Sequence, residues 1–329
     1  MAKLMIYGAA GYTGRMASTN AKALGLDLVV AGRATSETRL VQVAEELDTN
    51  CRLFDVEDVL ATMSALDGVV VLLNCAGPFM RTAAPLMRAC IMAGVHYLDI
   101  AAELDSYRLA EQLDGEAEAA GVMLLPGSGG SVAMLGSLAG HAARRVSAPT
   151  KLSIALQIAG GFSRGSAVSA RENVTTETLR RVGGTLIRHG TNGARDFDFG
   201  NGPATTFPVT LPDLITIWRS TGIADIDTYV RVSDGIFPEG DLAAMPNSPT
   251  LDQRSASRYQ AAVEVTAEDG TVARSALDTV NGYTFTAIAT AEAARRVLNG
   301  EARPGFQTPA GLFGHGFAET IADTTIADL

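Results

Sequence analysis

Three glycines near the start of the chain are spaced as in a loop that binds a diphosphate. Gly8, Gly11 and Gly14 follow an apolar run at 4–7 and open a helical stretch. Gly8 would allow a tight turn, Gly11 would let the backbone approach a pyrophosphate, and Gly14 would let a helix pack closely on a strand. The diphosphate would lie at the helix N-terminus, where backbone N–H groups favour an anion. We therefore expect a dinucleotide to contact Gly8, Ala10, Gly11, Tyr12, Thr13 and Gly14.

The end of the predicted second strand distinguishes between NAD and NADP. Residues 28–31 form another apolar run, which Gly32 and Arg33 follow. An NAD-preferring site needs an Asp or Glu here, about 20 residues past the glycines, to accept a hydrogen bond from the ribose 2′-OH. Arg33 instead offers a guanidinium that can hold a phosphate through two hydrogen bonds. We expect NADP(H), with Arg33 as its phosphate ligand; the alternative is a solvated surface arginine.

Composition limits the class of protein. The 329 residues are 47% hydrophobic and 19% charged, as in a globular chain of about two domains. A net charge of −10 argues against nucleic acid and anionic membranes as partners. Three cysteines without a close pair favour a reduced, cytoplasmic protein, and neither they nor the four histidines have metal-ligand spacing. No secretion signal is expected before the first strand. The stretch 122–140 is uncharged, but Pro126 and several glycines interrupt it, so no membrane span is expected.

Strands alternate with helices over the first 125 residues. The predicted strands cover residues 4–7, 28–31, 51–56, 69–74, 96–101 and 122–125. This alternation predicts an α/β fold, with a doubly wound parallel sheet of the Rossmann type and right-handed crossovers. Ligands bind such sheets at the carboxyl ends of the strands, so the loops after the first, fourth, fifth and sixth strands are expected to form the site.

The loop after the fourth strand offers cofactor and substrate contacts. Asn74 can hydrogen-bond a ribose or a carboxamide, although it can equally cap the strand end. Cys75 can place a thiol near the nicotinamide; the alternative is a small buried cysteine. The expected cofactor contacts in this loop are Asn74, Cys75, Ala76, Gly77 and Pro78, and Phe79 is expected to contact substrate.

The fifth strand supplies candidates for proton transfer. Asp99, Glu103 and Tyr97 lie on this strand or in the loop that follows it. A carboxyl group that is partly desolvated at a strand end can have its pKa raised towards neutrality and act as an acid. The alternative is that Asp99 and Glu103 cap neighbouring helices or pair with an arginine.

Beyond residue 125 the pattern changes to that of an α+β domain. Strands are predicted at 152–158, 229–232, 261–267 and 272–278, with a hairpin turn at 268–270, and helices at 283–298 and 312–321. Residues 189–212 are predicted to be rich in loops. Ser163, Arg164 and Ser166 open a helix and are expected to contact substrate; the alternative is ordinary N-capping. The hairpins are compatible with a homodimer formed through this sheet.

Several motifs together resemble the saccharopine dehydrogenase-like oxidoreductases, in particular the short bacterial branch that includes trans-acting enoyl reductases. The matching segments are 8–14 with 31–33, 74–79, 96–99 with Glu103, 163–166, 219–223 and 308–310. The resemblance implies a Rossmann domain formed by residues 1–125 and 285–329, with a substrate domain of residues 126–284 inserted between them. It also implies NADP(H) and hydride transfer to or from a C=C, C=O or C=N group.

One departure from the family pattern affects the substrate. After the sixth strand the family carries Gly-Phe-Asp followed by Pro and a second Asp, whereas this chain has Gly129-Gly130-Ser131, Met134 and Gly136. These apolar replacements favour enoyl or keto reduction of a lipid-like or acyl-type substrate, with Ser131 as a substrate contact. The alternatives are an imine or opine-type reductase that acts on amino-acid-derived substrates, and a non-catalytic NADP(H)-binding sensor or partner subunit.

Overall fold

The computed structural model describes residues 3–173, 178–189, 193–233 and 249–329. The chain divides into two compact units. The first comprises Met1–Gly130 and Thr286–Gln307, and the second comprises Ser131–Phe285 and Thr308–Leu329. The expected boundaries placed all of 285–329 in the first unit, whereas the last 22 residues, Thr308–Leu329, cluster with the second.

The strands and helices are numbered in chain order. The strands are β1 (Lys3–Tyr7), β2 (Leu28–Gly32), β3 (Asn50–Leu53), β4 (Val69–Asn74), β5 (His96–Asp99), β6 (Met123–Leu125), β7 (Pro149–Ala159), β8 (Thr178–Val182), β9 (Thr185–His189), β10 (Arg195–Asp198), β11 (Pro203–Pro208), β12 (Asp225–Ser233), β13 (Arg258–Ala267), β14 (Val272–Val280), β15 (Gly305–Phe306) and β16 (Thr325–Asp328). The α-helices are α1 (Tyr12–Ala23), α2 (Glu37–Glu46), α3 (Val59–Ala65), α4 (Phe79–Ala93), α5 (Leu104–Gln112), α6 (Asp114–Ala119), α7 (Gly130–Ala143), α8 (Arg164–Asn173), α9 (Asp213–Thr221), α10 (Leu251–Ser255), α11 (Gly282–Leu298) and α12 (Pro309–Phe313).

The first unit contains a parallel sheet in the order β15-β6-β5-β4-β1-β2-β3. The parallel α/β architecture predicted from the sequence is confirmed. Consecutive residues of β1, Leu4, Met5 and Ile6, are all fully buried, because a parallel sheet is covered on both faces. The two-residue strand β15 pairs with β6 and was not predicted, since Gly305 within it and Pro304 directly before it indicate a turn.

The second unit contains a mixed sheet in the order β10-β11-β12-β7-β13-β14-β16, with the β8–β9 hairpin paired beside β12. The predicted hairpin at 268–270 is confirmed, because β13 and β14 pair antiparallel from Arg258↔Val280 to Thr266↔Val272. The prediction that 189–212 is mainly loop is wrong where the structure describes it, since β10 and β11 pair there; residues 190–192 lie outside the described ranges. Phe197 of β10 packs against Tyr229, a tertiary contact that the short polar strands do not reveal.

The predicted helix at 312–321 is also wrong. The helix α12 ends at Phe313, a short 3₁₀ turn spans Ala318–Thr320, and β16 then pairs antiparallel with β14. Pairing with β14 joins this last segment to the sheet of the second unit. Across the described ranges, every helix is too short or too polar to traverse a bilayer.

A buried carboxyl group in the second unit gives a prediction about stability. Asp213 begins α9 and is fully buried, and within the described residues neither of its carboxylate oxygens has a hydrogen-bond partner. Burial raises the pKa of Asp213 to about 7, against about 3.9 in an unfolded chain. The native state therefore binds a proton more tightly, and the free energy of unfolding should fall as the pH rises from about 4 to about 7.

Asp213→Asn should remove this pH dependence and should stabilise the protein at about pH 8 by on the order of 2 kcal/mol. Urea denaturation measures the effect when it is carried out at a pH below and at a pH above the pKa of Asp213, which is about 7. Asp252→Asn, at an exposed position of α10, is the matched control and should leave the pH dependence unchanged. An Asp213→Asn variant with the same pH dependence as the unaltered protein would show that this carboxyl group is not its source.

Candidate functional site

The glycine loop after β1 is packed against the loop after β4. Gly8 has a φ of +85°, and a Cβ atom at this position would lie 2.8 Å from the Ala76 backbone nitrogen. A Cβ on Gly14 would lie 2.3 Å from the Gly8 carbonyl oxygen, so α1 begins directly against the end of β1. Both positions therefore require glycine, for the turn and for the close helix–strand approach that the sequence predicts.

The start of α1 is suited to an anion. Gly11 is the N-cap residue and is exposed, and it provides no side-chain cap. The first turn contains no acidic residue, so the positive end of the helix dipole is not neutralised from within the helix. Ala10, Tyr12 and Thr13 are half-buried around this end. The glycine loop thus fits a diphosphate in both shape and charge.

Arg33 directly follows β2 and is exposed. In the part of the chain that the structure describes, no ion pair or hydrogen bond engages its guanidinium. Burial raises the pKa of Tyr7 to about 12, with a further increase from Asp55 and an opposing effect from Arg33. Arg33 follows β2 and Asp55 follows β3, so both belong to segments at the carboxyl end of the sheet. Sequence reasoning missed Asp55, because a lone carboxylate after β3 matches no motif.

The side chain of Asn74 is buried and is engaged within the first unit. Its Nδ2 donates to Thr82 Oγ1 at 3.0 Å and to Tyr97 Oη at 3.2 Å, and its Oδ1 accepts from the Ala76 backbone nitrogen at 3.0 Å. Thr82 Oγ1 in turn donates to the Ala76 carbonyl oxygen at 2.7 Å. These contacts favour the alternative in which Asn74 fixes the end of β4.

The rest of this loop presents backbone rather than reactive side chains. Cys75 and Ala76 are half-buried, Gly77 is exposed, and the Gly77–Pro78 peptide bond is cis. Burial raises the pKa of the Cys75 thiol, and the nearby Asp99 carboxylate raises it further. Since the thiolate is the reactive form, Cys75 is better described as a small packed residue than as a nucleophile.

The candidates for proton transfer are buried. Tyr97 and Asp99 are 0% exposed and Glu103 is 3% exposed. Asp99 Oδ1 accepts from the backbone nitrogens of Ala101 at 2.9 Å and Gly127 at 2.8 Å, while Oδ2 accepts from Tyr97 Oη at 2.9 Å. Burial raises the pKa of Asp99 to about 6, and the backbone hydrogen bonds oppose this increase. The pKa thus lies near neutrality, as the sequence analysis expects, but both carboxylate oxygens are engaged.

Glu103 is engaged in a similar way. Its Oε2 accepts from the Ala102 backbone nitrogen at 2.9 Å, and its Oε1 accepts from the Phe79 backbone nitrogen at 3.4 Å. The Phe79 contact ties the start of α4 to the loop after β5. This geometry fits the alternative in which Glu103 satisfies backbone groups near helix starts, and within the described residues neither it nor Asp99 pairs with an arginine.

Two hydroxyl groups that the sequence analysis missed extend this network. Ser128 Oγ donates to the Asp99 carbonyl oxygen at 2.7 Å and lies 2.6 Å from Thr290 Oγ1 on α11. A Cβ on Gly129 would lie 2.8 Å from the Thr286 carbonyl oxygen, so the loop after β6 packs tightly on α11. The run of small residues at 127–131 was the available signal for this close packing.

Most of the expected substrate contacts belong to the second unit, whereas Phe79 is a buried residue of the first. Ser163 Oγ accepts from the Ser166 backbone nitrogen at 3.2 Å, which is the N-capping alternative. Tyr283 Oη accepts from the Ser163 backbone nitrogen at 2.7 Å and donates to Ser166 Oγ at 2.9 Å. Arg164 lies beside this cluster at the start of α8.

The positions where the family pattern has its proline and its second carboxylate lie on α7. Ser131 is half-buried near its start and Met134 is 1% exposed. A Cβ on Gly136 would lie 3.2 Å from the Ala310 Cβ. This segment of α7 is therefore apolar and tightly packed where the family pattern has a proline and a carboxylate.

Comparison with known proteins agrees with this geometry. Residues 4–125 match the family model described as the saccharopine dehydrogenase NADP binding domain. Two curated proteins of Mycobacterium tuberculosis, from strains H37Rv and CDC 1551, are provisionally named trans-acting enoyl reductases. Each is 29% identical over 107 residues, which cover 30% of this chain. The chain spans about a quarter of the length of these curated relatives, since the match covers 25% of each.

A solved structure shares the fold of the whole chain. The apo form of saccharopine dehydrogenase (L-Glu forming) from Saccharomyces cerevisiae is similar with a TM-score of 0.66 at 12% identity. The similarity covers 99% of this chain and 100% of that one, and at this level of identity it concerns the fold alone. Residues 4–125, which include the glycine loop and Arg33, thus match the model of a saccharopine dehydrogenase NADP binding domain.

Proposed function

We propose that the protein is an NADPH-dependent oxidoreductase that transfers hydride to a C=C, C=O or C=N group of a small or lipid-like substrate, with enoyl reduction favoured. The observation that carries the proposal is the dinucleotide site of the first unit. The Gly8–Gly14 loop provides a tight turn and a helix N-terminus against which a diphosphate can lie. Arg33 provides an exposed cation without an ion-pair partner in the described chain. Cofactors of this kind supply the hydride, whereas the protein binds and orients both reactants.

The proposal assigns residues to each part of the cofactor. The loop residues Gly8, Ala10, Gly11, Tyr12, Thr13 and Gly14 would contact the diphosphate, and Arg33 the 2′-phosphate. The segment Asn74–Pro78 lies at the carboxyl end of β4, beside the glycine loop, where its backbone would contact the rest of the dinucleotide. In this proposal Asn74 acts on that backbone rather than directly on the cofactor, since its amide is engaged by Thr82, Tyr97 and Ala76.

The preference for an enoyl substrate depends on the second unit and on the curated relatives. Met134 and Gly136 stand where the family pattern has a proline and a carboxylate, and the loss of the carboxylate favours an acyl-type substrate over an amino acid. Phe79, Ser131, Ser163, Arg164 and Ser166 are the proposed substrate contacts. An imine or opine-type reductase would need several cations to hold carboxylates, and among these five residues Arg164 alone is cationic. A cytoplasmic location and a homodimer through the second sheet complete the proposal.

The side chains first considered for proton transfer favour a different role. Within the described structure the carboxylate oxygens of Asp99 and Glu103 and the hydroxyl of Tyr97 all have hydrogen-bond partners. We infer that they shape the loops, and that the proton added to the product comes from another group or from water. The same observation favours the second candidate function, a non-catalytic NADP(H)-binding sensor.

Transfer of deuterium from NADPH labelled at C4 distinguishes these functions. The purified protein would be incubated with labelled NADPH and, separately, with an enoyl thioester, a keto thioester and a cyclic imine. We expect deuterium in the saturated thioester, detected by mass spectrometry, and no transfer from labelled NADH. Transfer to the imine alone would support the opine-type alternative. Tight NADPH binding without transfer to any of the three would contradict the enzyme proposal and favour the sensor.

A further inference from the structure

A continuous chain of hydrogen bonds runs beneath the cofactor loops of the first unit. It begins at the Asp99 carboxylate, passes through the Tyr97 hydroxyl and the Asn74 amide, and ends with Thr82 at the backbone of Ala76. Its side chains are buried except for that of Thr82, which is half-buried. A buried network in which every member is satisfied holds its members in one arrangement.

The negative charge of Asp99 fixes the direction of the bonds at its end of this chain, and the backbone groups of Ala76 fix it at the other end. An ionised carboxylate only accepts, and Asp99 accepts from two backbone N–H groups and from Tyr97 Oη. Because the single Tyr97 proton is used there, its oxygen can only accept, and Asn74 must turn its NH₂ group towards it.

The orientation of the Asn74 amide then fixes the remaining bonds. With NH₂ directed at Tyr97 and Thr82, the Asn74 carbonyl oxygen faces the Ala76 N–H. Thr82 receives one of these amide protons, so its own proton is directed at the Ala76 carbonyl oxygen. Both backbone polar groups of Ala76 are therefore held by side chains that hydrogen bonds connect to Asp99 through Tyr97.

Ala76 is the residue of this loop that touches the glycine loop. A Cβ on Gly8 would lie 2.8 Å from the Ala76 nitrogen and 2.9 Å from the Ala76 Cβ. The neighbouring Cys75 backbone nitrogen also donates to the Tyr7 carbonyl oxygen at 2.8 Å, at the end of β1. A displacement of Ala76 would therefore change the loop in which the diphosphate is proposed to bind.

We propose that Asp99, acting through Tyr97 and Asn74, is a positioning residue that holds Ala76 in the conformation required for dinucleotide binding. The proposal rests on the proposed NADP(H) function and adds a role for a carboxylate that does not touch the cofactor. It assigns Asp99 and Tyr97 to loop positioning instead of proton transfer.

The charged state of Asp99 also makes the positioning depend on pH. The titratable groups around it are Glu103 on the following loop, Tyr97 on its own strand, and Cys75 after β4, whose own pKa the Asp99 charge raises; Cys90 of α4 acts on Tyr97. Burial raises the pKa of Asp99 most, the backbone and Tyr97 hydrogen bonds lower it, and the Glu103 charge adds a smaller increase. Protonation of Asp99 at acidic pH gives it a donor of its own and removes the constraint on the Tyr97 proton.

Amide hydrogen exchange in the cofactor-free protein tests the chain of bonds directly. Tyr97→Phe removes the central hydroxyl, and the Ala76 amide should then exchange about tenfold faster or more. Tyr107→Phe is a matched control, because Tyr107 is equally buried and its hydroxyl donates to the Ala101 carbonyl oxygen rather than to Asp99, Asn74 or Thr82. Equal acceleration in both variants would overturn the proposal, as would an unchanged Ala76 amide in a folded Tyr97→Phe variant.

Calorimetric titration with NADPH provides the second readout. Tyr97→Phe and Asp99→Asn should each weaken binding about tenfold at about pH 8, whereas Tyr107→Phe should not. In Asp99→Asn the amide directs a donor at Tyr97, so the Tyr97 proton loses its acceptor while the fold keeps a side chain of the same shape.

The pH profile separates positioning from a general loss of stability. The pKa of Asp99 is about 6, so affinity in the unaltered protein and in Tyr107→Phe should decrease towards about pH 5 more steeply than in Asp99→Asn. The NADPH 2′-phosphate titrates near pH 6 in all variants and cancels from this comparison. If Asp99→Asn showed the same pH dependence of NADPH affinity as the unaltered protein, the positioning role would be contradicted, while the proposed NADP(H) function would stand. Failure of the unaltered protein to bind NADPH would contradict the proposed function and, with it, the purpose of the positioning.

Discussion

Gly14→Ala is expected to destabilise the first unit by about 3 kcal/mol and to weaken NADPH binding by about 100-fold or more. Helix propensity alone would predict the opposite, since alanine is favoured over glycine within a helix by about 1 kcal/mol. The added Cβ would lie 2.3 Å from the Gly8 carbonyl oxygen and 3.0 Å from the Ala9 Cα, which are backbone atoms that cannot rotate away. The start of α1 must therefore move from β1, and the loop that would hold the diphosphate moves with it.

Chemical denaturation and NADPH titration measure the two effects separately. Gly115→Ala is the matched control, because Gly115 lies in α6 of the same unit and a Cβ there meets no atom within 4 Å. It should leave NADPH affinity unchanged and raise stability by about 0.5–1 kcal/mol. A Gly14→Ala variant that binds NADPH as tightly as the unaltered protein would contradict the assignment of the glycine loop.

Arg33→Glu is expected to weaken NADPH binding about 100-fold or more and to leave NADH binding equal or slightly tighter. The substitution removes charge-assisted hydrogen bonds to the 2′-phosphate and puts a like charge beside it. A carboxylate at this position can instead accept from the ribose 2′-OH of NADH. The side chain is exposed, so the substitution should have little effect on stability. Parallel calorimetric titrations with the two cofactors measure the change in preference.

Arg39→Glu provides the control for a change in net charge. Arg39 is exposed on α2, six residues after Arg33 in the sequence. Replacing it with Glu changes the net charge of the protein by the same amount as Arg33→Glu. We expect it to weaken NADPH binding by less than about threefold, because charges separated by solvent are screened. An equal effect of the two substitutions would show that Arg33 acts through the general field and not as a phosphate ligand.

The parallel sheet was predictable because burial on both faces leaves a continuous apolar run. Residues 69–74 were predicted from such a run, and β4 covers the same residues, all of them buried except Val70. The turn at 268–270 was predictable for a similar local reason, since glycine and acidic residues separate two alternating strands. In contrast, β15 has two residues, and it is held by pairing with β6 from a distant part of the chain. The residues around β15 in the sequence contain no information about its pairing with β6.

In the candidate site, too, features set by neighbouring residues were predictable, whereas features set by tertiary packing were not. The glycine spacing predicts the turn and the close approach of α1, and the backbone at Gly8 and Gly14 has that geometry. The residue types of Tyr97 and Asp99 suggest acid–base chemistry, but their hydrogen bonds connect three loops. Which atoms Asp99 engages depends on the registers of β4, β5 and β6, and these registers are set by packing of the whole sheet.

Calorimetric titration of NADPH and NADH, separately, into the unaltered protein tests the central claim most directly. It measures the preference on which the Arg33 prediction depends, without any change to the chain. We expect NADPH to bind at least about 100-fold more tightly than NADH, in keeping with charge-assisted contacts to one additional phosphate. Equal affinities would contradict the role of Arg33, and binding of neither cofactor by the folded protein would contradict the proposed oxidoreductase function altogether.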